Sequence, residues 1–149
     1  MNRVETIKQI MNSHPKSFFV FSNGLTSREA CHFSYSEQSL YLIHAMGEAL
    51  SVGFGLASAL PDKEFVVIEG DGSSQMGLAS WNNKNLDNLK YYVLINNKHQ
   101  TTGGQMINEF KVKPDWIDFI KIEDSSHETP NPMNPVLNAK LFMKKLNNG

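Results

Sequence analysis

Uninterrupted apolar runs recur along the chain. They occupy residues 18–21, 41–43, 65–68 and 91–95, and turn-forming residues follow the runs at 18–21 and 65–68. Runs of this length without polar alternation are typical of strands that are buried on both faces. The pattern therefore predicts four buried strands in the first two thirds of the sequence.

The segments between these runs predict helices. Val4, Ile7 and Ile10 recur at helical spacing before Pro15 ends the pattern. Further helices are expected from about residue 28, with Thr26 or Ser27 as the cap, over residues 48–60 and over roughly residues 74–89. Buried strands that alternate with helices predict an α/β fold, a doubly wound and mostly parallel sheet with helices on both faces.

The signal is weaker after residue 105. Residues 115–122 are expected to hold a helical turn and a strand, and the polar, proline-containing stretch at about 123–135 is expected to be irregular. Asn134 and Pro135 are a suitable cap and first position for a last helix over about 136–146. We expect residues 1–149 to form one domain.

Composition excludes several classes of partner. The chain has 149 residues, 40% of them apolar and 19% charged, which suits one domain with a buried core. A net charge of −1 with scattered basic residues argues against nucleic acid binding. The single cysteine, Cys31, excludes an internal disulfide, and no segment has the features of a signal peptide or membrane span. We therefore expect a cytoplasmic protein with no membrane partner.

Two oxygen-bearing side chains follow neighbouring predicted strands. Asp71 lies between Gly70 and Gly72 after one strand, and Asn97 follows the next. In a parallel sheet both would reach the same edge, and oxygen ligands suit Mg²⁺, which also accepts phosphate oxygens. Gly72 and Ser73 open a predicted helix, whose free N–H groups favour an anion. Because Asp71 lies outside the predicted core, we expect the chain to fold without its carboxylate.

These residues resemble a known family. Gly70-Asp71-Gly72, followed after a spacer by Asn96-Asn97, resembles the metal motif of thiamine diphosphate enzymes. Segments 22–29, 45–49, 70–78 and 102–105 together resemble the C-terminal domain of phosphonopyruvate and sulfopyruvate decarboxylases. Gly70-Asp71-Gly72 alone is also compatible with an ordinary turn that binds no ligand. A dinucleotide-binding motif is disfavoured because Gln75 stands where that motif has its third glycine.

The resemblance implies ligands for thiamine diphosphate and Mg²⁺. It makes Asp71 and Asn97 metal ligands, with the backbone carbonyl of His99 as a third. It also makes Gly70, Gly72 and Ser73 diphosphate-binding residues, and it brings Asn97 close to the bound cofactor.

Two further residues would contact the organic part of the cofactor. Met46 lies 25 positions before Asp71, where related enzymes place the apolar side chain that supports the bent cofactor. By default a methionine fills a gap in the core, and we hold the two interpretations of Met46 equal. His44 replaces a glycine of the family, and its carbonyl would contact the aminopyrimidine.

The resemblance also implies a partner. The glutamate that activates the cofactor lies in the family's other domain, for which this chain has no room, so we assign no catalytic residue here. An α-type subunit carrying the pyrimidine-binding domain is expected, in a hetero-oligomer. Arg28 either binds the anionic group of a small 2-oxo acid substrate or forms a solvated pair with Glu29.

The expected function is that of the cofactor-binding subunit of a split decarboxylase. The match at Thr26-Ser27-Arg28-Glu29 favours phosphonopyruvate over sulfopyruvate as the substrate. The alternatives are a carboligase similar to acetolactate synthase and a degenerate subunit that binds the cofactor without catalysis.

Overall fold

A parallel sheet of five strands forms the centre of the protein in a computed structural model that describes residues 1–83, 86–124 and 128–148. A short hairpin lies outside the sheet. The strands are β1 (Phe18–Phe21), β2 (Ser39–Tyr41), β3 (Phe65–Gly70), β4 (Leu89–Ile95), β5 (Lys98–His99), β6 (Gln105–Met106) and β7 (Ile117–Lys121). The helices are α1 (Arg3–Ser13), α2 (Leu25–Phe33), α3 (Ala49–Ala59), α4 (Asp71–Met76), a 3₁₀ turn (Leu78–Asn82) and α5 (Pro135–Asn148).

Alternation of side chains along the strands builds a core on each face of the sheet. In β1, Phe18 and Val20 join the cluster that contains residues of α3 and α5. Phe19 and Phe21 join the opposite cluster, which contains residues of α1 and α2. Successive residues of a strand point to opposite faces of the sheet. A strand without polar residues is therefore covered on both faces. The expected doubly wound fold is confirmed.

The strand order places an open crevice at one edge of the sheet. The order is β2-β1-β3-β4-β7. The chain passes from β1 to β2 on one side and then crosses back to form β3 on the other side of β1. Ligands of such sheets bind at this switch point, outside the carboxyl ends of the strands. The loop that begins at Ser22 and the start of α4 at Asp71 therefore border the crevice.

The prediction of one long helix over residues 74–89 is wrong. Helix α4 begins at Asp71 and ends at Met76, and the chain continues as a 3₁₀ turn before β4 begins at Leu89. Gly77 separates the two helical segments, and a Cβ at this position would overlap the carbonyl oxygen of Gly47. Gly77 is the C-cap of α4, and its contact with Gly47 leaves no space for a side chain there.

Two smaller expectations are also corrected. Helix α2 begins at Leu25 with Gly24 (φ 80°) as its N-cap, so Thr26 and Ser27 lie inside the helix rather than capping it. The hydroxyl of Ser27 instead donates to the carbonyl of Phe21 at 3.0 Å. Strand β2 ends at Tyr41, two residues before the expected end of that strand.

The C-terminal expectations are largely met. The strand expected within 115–122 is β7, which pairs in parallel with β4. Asn134 caps α5, because its side-chain oxygen accepts hydrogen bonds from the N–H groups of Val136 (2.9 Å) and Leu137 (3.1 Å). Of the irregular segment, residues 125–127 lie outside the described residues. In the described ranges, no helix is long and apolar enough to cross a membrane.

Candidate cofactor and metal site

Asp71 links the ends of two strands at the crevice. Its Oδ2 accepts a hydrogen bond from the N–H of Asn97 at 2.7 Å, and its Oδ1 accepts one from the N–H of Gly72 at 2.9 Å. The residue is 3% exposed, so it is buried, although it belongs to neither of the two hydrophobic clusters. Burial raises the pKa of Asp71, and the backbone hydrogen bonds oppose that shift.

The two predicted side-chain metal ligands lie next to each other. Asn97 has φ 59°, a left-handed conformation that asparagine tolerates better than most residues. The third predicted ligand, the carbonyl of His99, accepts hydrogen bonds from the N–H groups of Thr102 (3.3 Å) and Gly104 (2.9 Å). The structure thus brings Asp71 and Asn97 together and engages the His99 carbonyl in its own loop.

A small cleft of about 80 Å³ lies beside Asp71. Its lining includes Gly70, Gly72 and Ser73 of the α4 start, and Asn96 rather than Asn97 borders it from β4. The N-cap of α4, Gly70, provides no side-chain hydrogen bond. The start of a helix without a side-chain cap attracts anions, so the cleft fits a phosphate group.

Gly72 has a packing role as well. A Cβ at this position would lie 2.7 Å from Nδ1 of His99 and 3.0 Å from Cδ1 of Ile107. Glycine therefore lets the loop after β4 fold back onto α4, and the His99 ring occupies the space that a side chain at position 72 would need.

A larger cavity of about 400 Å³ shares lining residues with the cleft. Its walls include Arg28, His44 and Met46, which the sequence placed at the substrate or the cofactor. Asn23 lines both cavities, and its Oδ1 is buried without a hydrogen-bond partner among the described residues. Sequence reasoning gave Asn23 no role, although it lies in the segment that carries the resemblance.

His44 and Met46 project from an unusual loop. His44 has φ 53°, a left-handed conformation in which glycine is far less strained, and this is the position at which the resemblance implies glycine. Met46 is 37% exposed and borders both cavities, so the interpretation of this residue as a core gap-filler is wrong.

Arg28 and Glu29 do not form a solvated pair. Glu29 is 1% exposed, and its carboxylate accepts a hydrogen bond from the buried guanidinium of Arg3 at 3.4 Å. Arg28 is half-buried and donates to the carbonyl of Thr129 at 3.5 Å. Because neighbouring helical residues point in different directions, only Arg28 reaches the larger cavity.

Another buried carboxyl group lies behind the crevice. Glu69 is 1% exposed in β3, and burial raises its pKa, while hydrogen bonds from Ser73 and Tyr91 oppose that shift. Sequence reasoning missed Glu69. The available signal was an acidic residue at the end of an otherwise apolar run.

The donor set indicates which metal would fit. Within the part of the chain that the structure describes, no group of three or more His, Cys, Asp or Glu residues could hold a metal ion. A metal at Asp71 would rely on neutral oxygens and phosphate, which is the coordination that Mg²⁺ prefers. The protein is thus an α/β domain whose crevice residues suit a metal ion bound together with a diphosphate.

Comparison with known proteins specifies this class. The family model described as "Thiamine pyrophosphate enzyme, C-terminal TPP binding domain" matches residues 7–140. The chain belongs to this family.

Two curated relatives share 36% identity with the chain over 107 residues, which is 69% of its length. They are the sulfopyruvate decarboxylase subunit beta of Methanocaldococcus jannaschii and the phosphonopyruvate decarboxylase of Streptomyces hygroscopicus. The chain spans 56% of the first relative and 26% of the second.

A solved structure shares the fold. The 2-oxoglutarate:ferredoxin oxidoreductase from Magnetococcus marinus superposes with a TM-score of 0.58 at 19% sequence identity, over 97% of this chain and 66% of that chain.

Proposed function

We propose that the chain is the thiamine diphosphate- and Mg²⁺-binding subunit of a split 2-oxo acid decarboxylase. The observation that carries the proposal is the buried carboxylate of Asp71, hydrogen-bonded to the Asn97 N–H at the switch point of the sheet. Relatives named sulfopyruvate decarboxylase and phosphonopyruvate decarboxylase support the reaction class.

In this proposal the crevice holds the cofactor by its charged end. Asp71 and Asn97 bind Mg²⁺, with the carbonyl of His99 as a third ligand, and the start of α4 from Gly70 to Ser73 binds the diphosphate. Met46 supports the organic part, and the carbonyl of His44 contacts the aminopyrimidine. When bound, thiamine diphosphate supplies the nucleophilic carbon and the electron sink that decarboxylation needs.

An α-type subunit would complete the site. Relatives named "subunit beta" support a hetero-oligomer. Met46, Met76 and Leu78 are exposed by 37%, 62% and 45%, and the backbone of Gly47 lies against that of Met76 and Gly77, so the segments that carry these residues are in contact. Exposed apolar residues on adjoining segments beside a binding site suit a partner surface.

The proposed substrate is a small 2-oxo acid with a second anionic group. Arg28 lines the larger cavity and offers a planar set of N–H donors, which suits a phosphonate or sulfonate. Phosphonopyruvate, converted to phosphonoacetaldehyde and carbon dioxide, is the preferred substrate from the resemblance at residues 26–29. The sulfopyruvate relatives favour the second candidate, the beta subunit of a sulfopyruvate decarboxylase.

Calorimetric titration tests the proposal. Thiamine diphosphate with Mg²⁺ is titrated into the chain, alone and mixed with the product of a neighbouring gene as the candidate α-type subunit. Asp71→Asn serves as the site variant, and Asp62→Ala, an exposed residue before β3, serves as the matched control. Binding by the wild type and the control but not by Asp71→Asn is expected, and no binding in any mixture would refute the proposal.

Turnover then separates the remaining candidates. The loaded complex is given phosphonopyruvate and sulfopyruvate, and the products are identified. Release of carbon dioxide with an aldehyde supports the decarboxylase, whereas a condensed 2-hydroxy-3-oxo acid indicates a carboligase. Cofactor binding without turnover alongside every partner tested indicates a degenerate subunit.

A further inference from the structure

A buried polar network lies beneath the start of α4. Glu69 Oε1 accepts a hydrogen bond from the Ser73 hydroxyl at 2.6 Å, and Glu69 Oε2 accepts one from the Tyr91 hydroxyl at 2.6 Å. The Ser74 hydroxyl lies 2.7 Å from that of Tyr91. All four residues are buried, so each hydrogen bond is protected from water and is costly to break.

The Ser73 hydroxyl is engaged on both sides. A hydroxyl has one proton to donate, and that of Ser73 is directed to Glu69. Its oxygen accepts a hydrogen bond from the backbone N–H of Gly47 at 3.0 Å. The side chain therefore joins three backbone segments and has no proton left for a diphosphate.

A second contact fixes the same loop to α4. Gly47 has φ 80°, and a Cβ at this position would lie 3.0 Å from the backbone N of Gly77 and from the carbonyl carbon of Met76. Gly47 therefore contacts α4 at Ser73 and again at Gly77, which is one helical turn further. Met46, the residue before Gly47, is held by both contacts.

We propose that Glu69 and Ser73 are positioning residues that fix Met46 relative to Asp71. Asp71 begins α4, and the loop that carries Met46 is attached along the same helix, so α4 sets the distance between the metal ligand and the cofactor support. This inference rests on the proposed function of Met46 and Asp71. The Ser73 side chain then positions the loop rather than binding the diphosphate, as the resemblance had implied. Only the backbone N–H of Ser73 would face the diphosphate.

Amide hydrogen exchange tests the link without any cofactor. In Ser73→Ala, the Gly47 amide loses its acceptor and is expected to exchange about tenfold faster, as the loss of one buried hydrogen bond implies. Ser74→Ala is the matched control, since it removes the neighbouring buried hydroxyl but not the contact with Gly47. Equal acceleration in both variants, or none in Ser73→Ala, would overturn the link.

Two ligands test the consequence for the site. Thiamine diphosphate and inorganic diphosphate, each with Mg²⁺, are titrated into the complex with the α-type subunit. Ser73→Ala is expected to weaken thiamine diphosphate about tenfold and to change inorganic diphosphate by less than about twofold, because only the first ligand reaches Met46. Equal weakening of both ligands would identify the Ser73 hydroxyl as a direct diphosphate ligand and refute the inference.

Variants of Glu69 provide an independent check. Glu69→Ala is expected to reproduce the selective loss of Ser73→Ala, and Glu69→Gln is expected to restore much of the affinity, because its amide oxygen can still accept the Ser73 proton. Failure of Glu69→Gln to bind better than Glu69→Ala would argue against positioning. If the wild type binds neither ligand, the proposed function fails, and Gly47 exchange still decides whether Ser73 fixes the loop.

Discussion

The 2.7 Å hydrogen bond from the Asn97 N–H to the Asp71 carboxylate ties the end of β4 to the start of α4. Asp71 therefore has a structural role in addition to its proposed metal role. The variants Asp71→Ala and Asp71→Asn separate the two roles, because asparagine keeps one acceptor oxygen but loses the charge.

We expect Asp71→Ala to lower the free energy of unfolding by about 1–3 kcal/mol, since it leaves the half-buried N–H of Asn97 without its acceptor. Asp71→Asn should retain most of the stability. Both variants should lose Mg²⁺-dependent binding of thiamine diphosphate. Denaturant unfolding and calorimetry measure the two effects, and binding by Asp71→Asn at wild-type strength would exclude the carboxylate as a metal ligand.

Arg28→Gln should impair substrate recognition and spare the cofactor. Loss of a charged hydrogen-bond donor is expected to raise KM for phosphonopyruvate or sulfopyruvate by about tenfold or more. The affinity for thiamine diphosphate should not change. Pyruvate, which lacks the second anion, is the control substrate, and an equal rise in its KM would show that Arg28 does not recognise that group.

His44→Gly should relieve backbone strain in the loop before Met46. The left-handed conformation at φ 53° costs a residue with a Cβ about 1–2 kcal/mol, which glycine avoids at the expense of greater freedom when unfolded. His44→Ala is the control because it keeps the Cβ. We expect the glycine variant to be more stable than the alanine variant by about 1 kcal/mol in denaturant unfolding, and the opposite order would contradict this account.

Two glycines of α3 should respond in opposite ways to alanine. A Cβ at Gly53 would overlap Cγ2 of Val67 in the sheet, whereas a Cβ at Gly55 meets nothing within 4 Å. Gly53→Ala should therefore cost about 1–3 kcal/mol by overpacking. Gly55→Ala should gain up to about 1 kcal/mol from helix propensity. Thermal or denaturant unfolding compares them, and similar effects of both substitutions would contradict the packing of α3 on β3.

Alkaline pH should destabilise the fold through Tyr41. Burial raises the pKa of Tyr41 from 10.0 to about 12, so the folded state favours the neutral phenol. Its contribution is complete below pH 10 and is lost as the pH rises from about 10 to about 12, by an amount of roughly 3 kcal/mol. The unfolding free energy of the wild type should fall relative to that of Tyr41→Phe over this interval, and parallel curves would contradict the assignment.

The apolar runs were sufficient to predict the sheet. Residues 18–21 and 65–68 have no polar side chain, so each strand had to be covered on both faces, and β1 and β3 are the strands that result. The positions of Asp71 and Asn97 after consecutive strands predicted that both lie at the same edge of the sheet, and the hydrogen bond from the Asn97 backbone N–H to Asp71 joins the two residues there. Their role as metal ligands stays a prediction. A short stretch of sequence is enough for these predictions, because the burial of a strand and the position of its end depend on residues that are close in the sequence.

Helix α4 could not be predicted from the same kind of pattern. The helix ends at Met76, and the next residue, Gly77, lies against the carbonyl of Gly47, which is distant in the sequence. The role of Glu69 could not be predicted for the same reason. An acidic residue in a strand can be interpreted only when its hydrogen-bond partners, Ser73 and Tyr91, are known.

The sequence by itself determined the fold class and the edge of the sheet at which Asp71 and Asn97 lie. Only the tertiary structure decided that Asp71 is buried, that Glu29 pairs with Arg3 while Arg28 faces the larger cavity, and that the Ser73 hydroxyl is engaged internally. The physical reason is that periodicity reports which face of an element is buried, whereas the partner of a polar group is set by segments that meet only after folding.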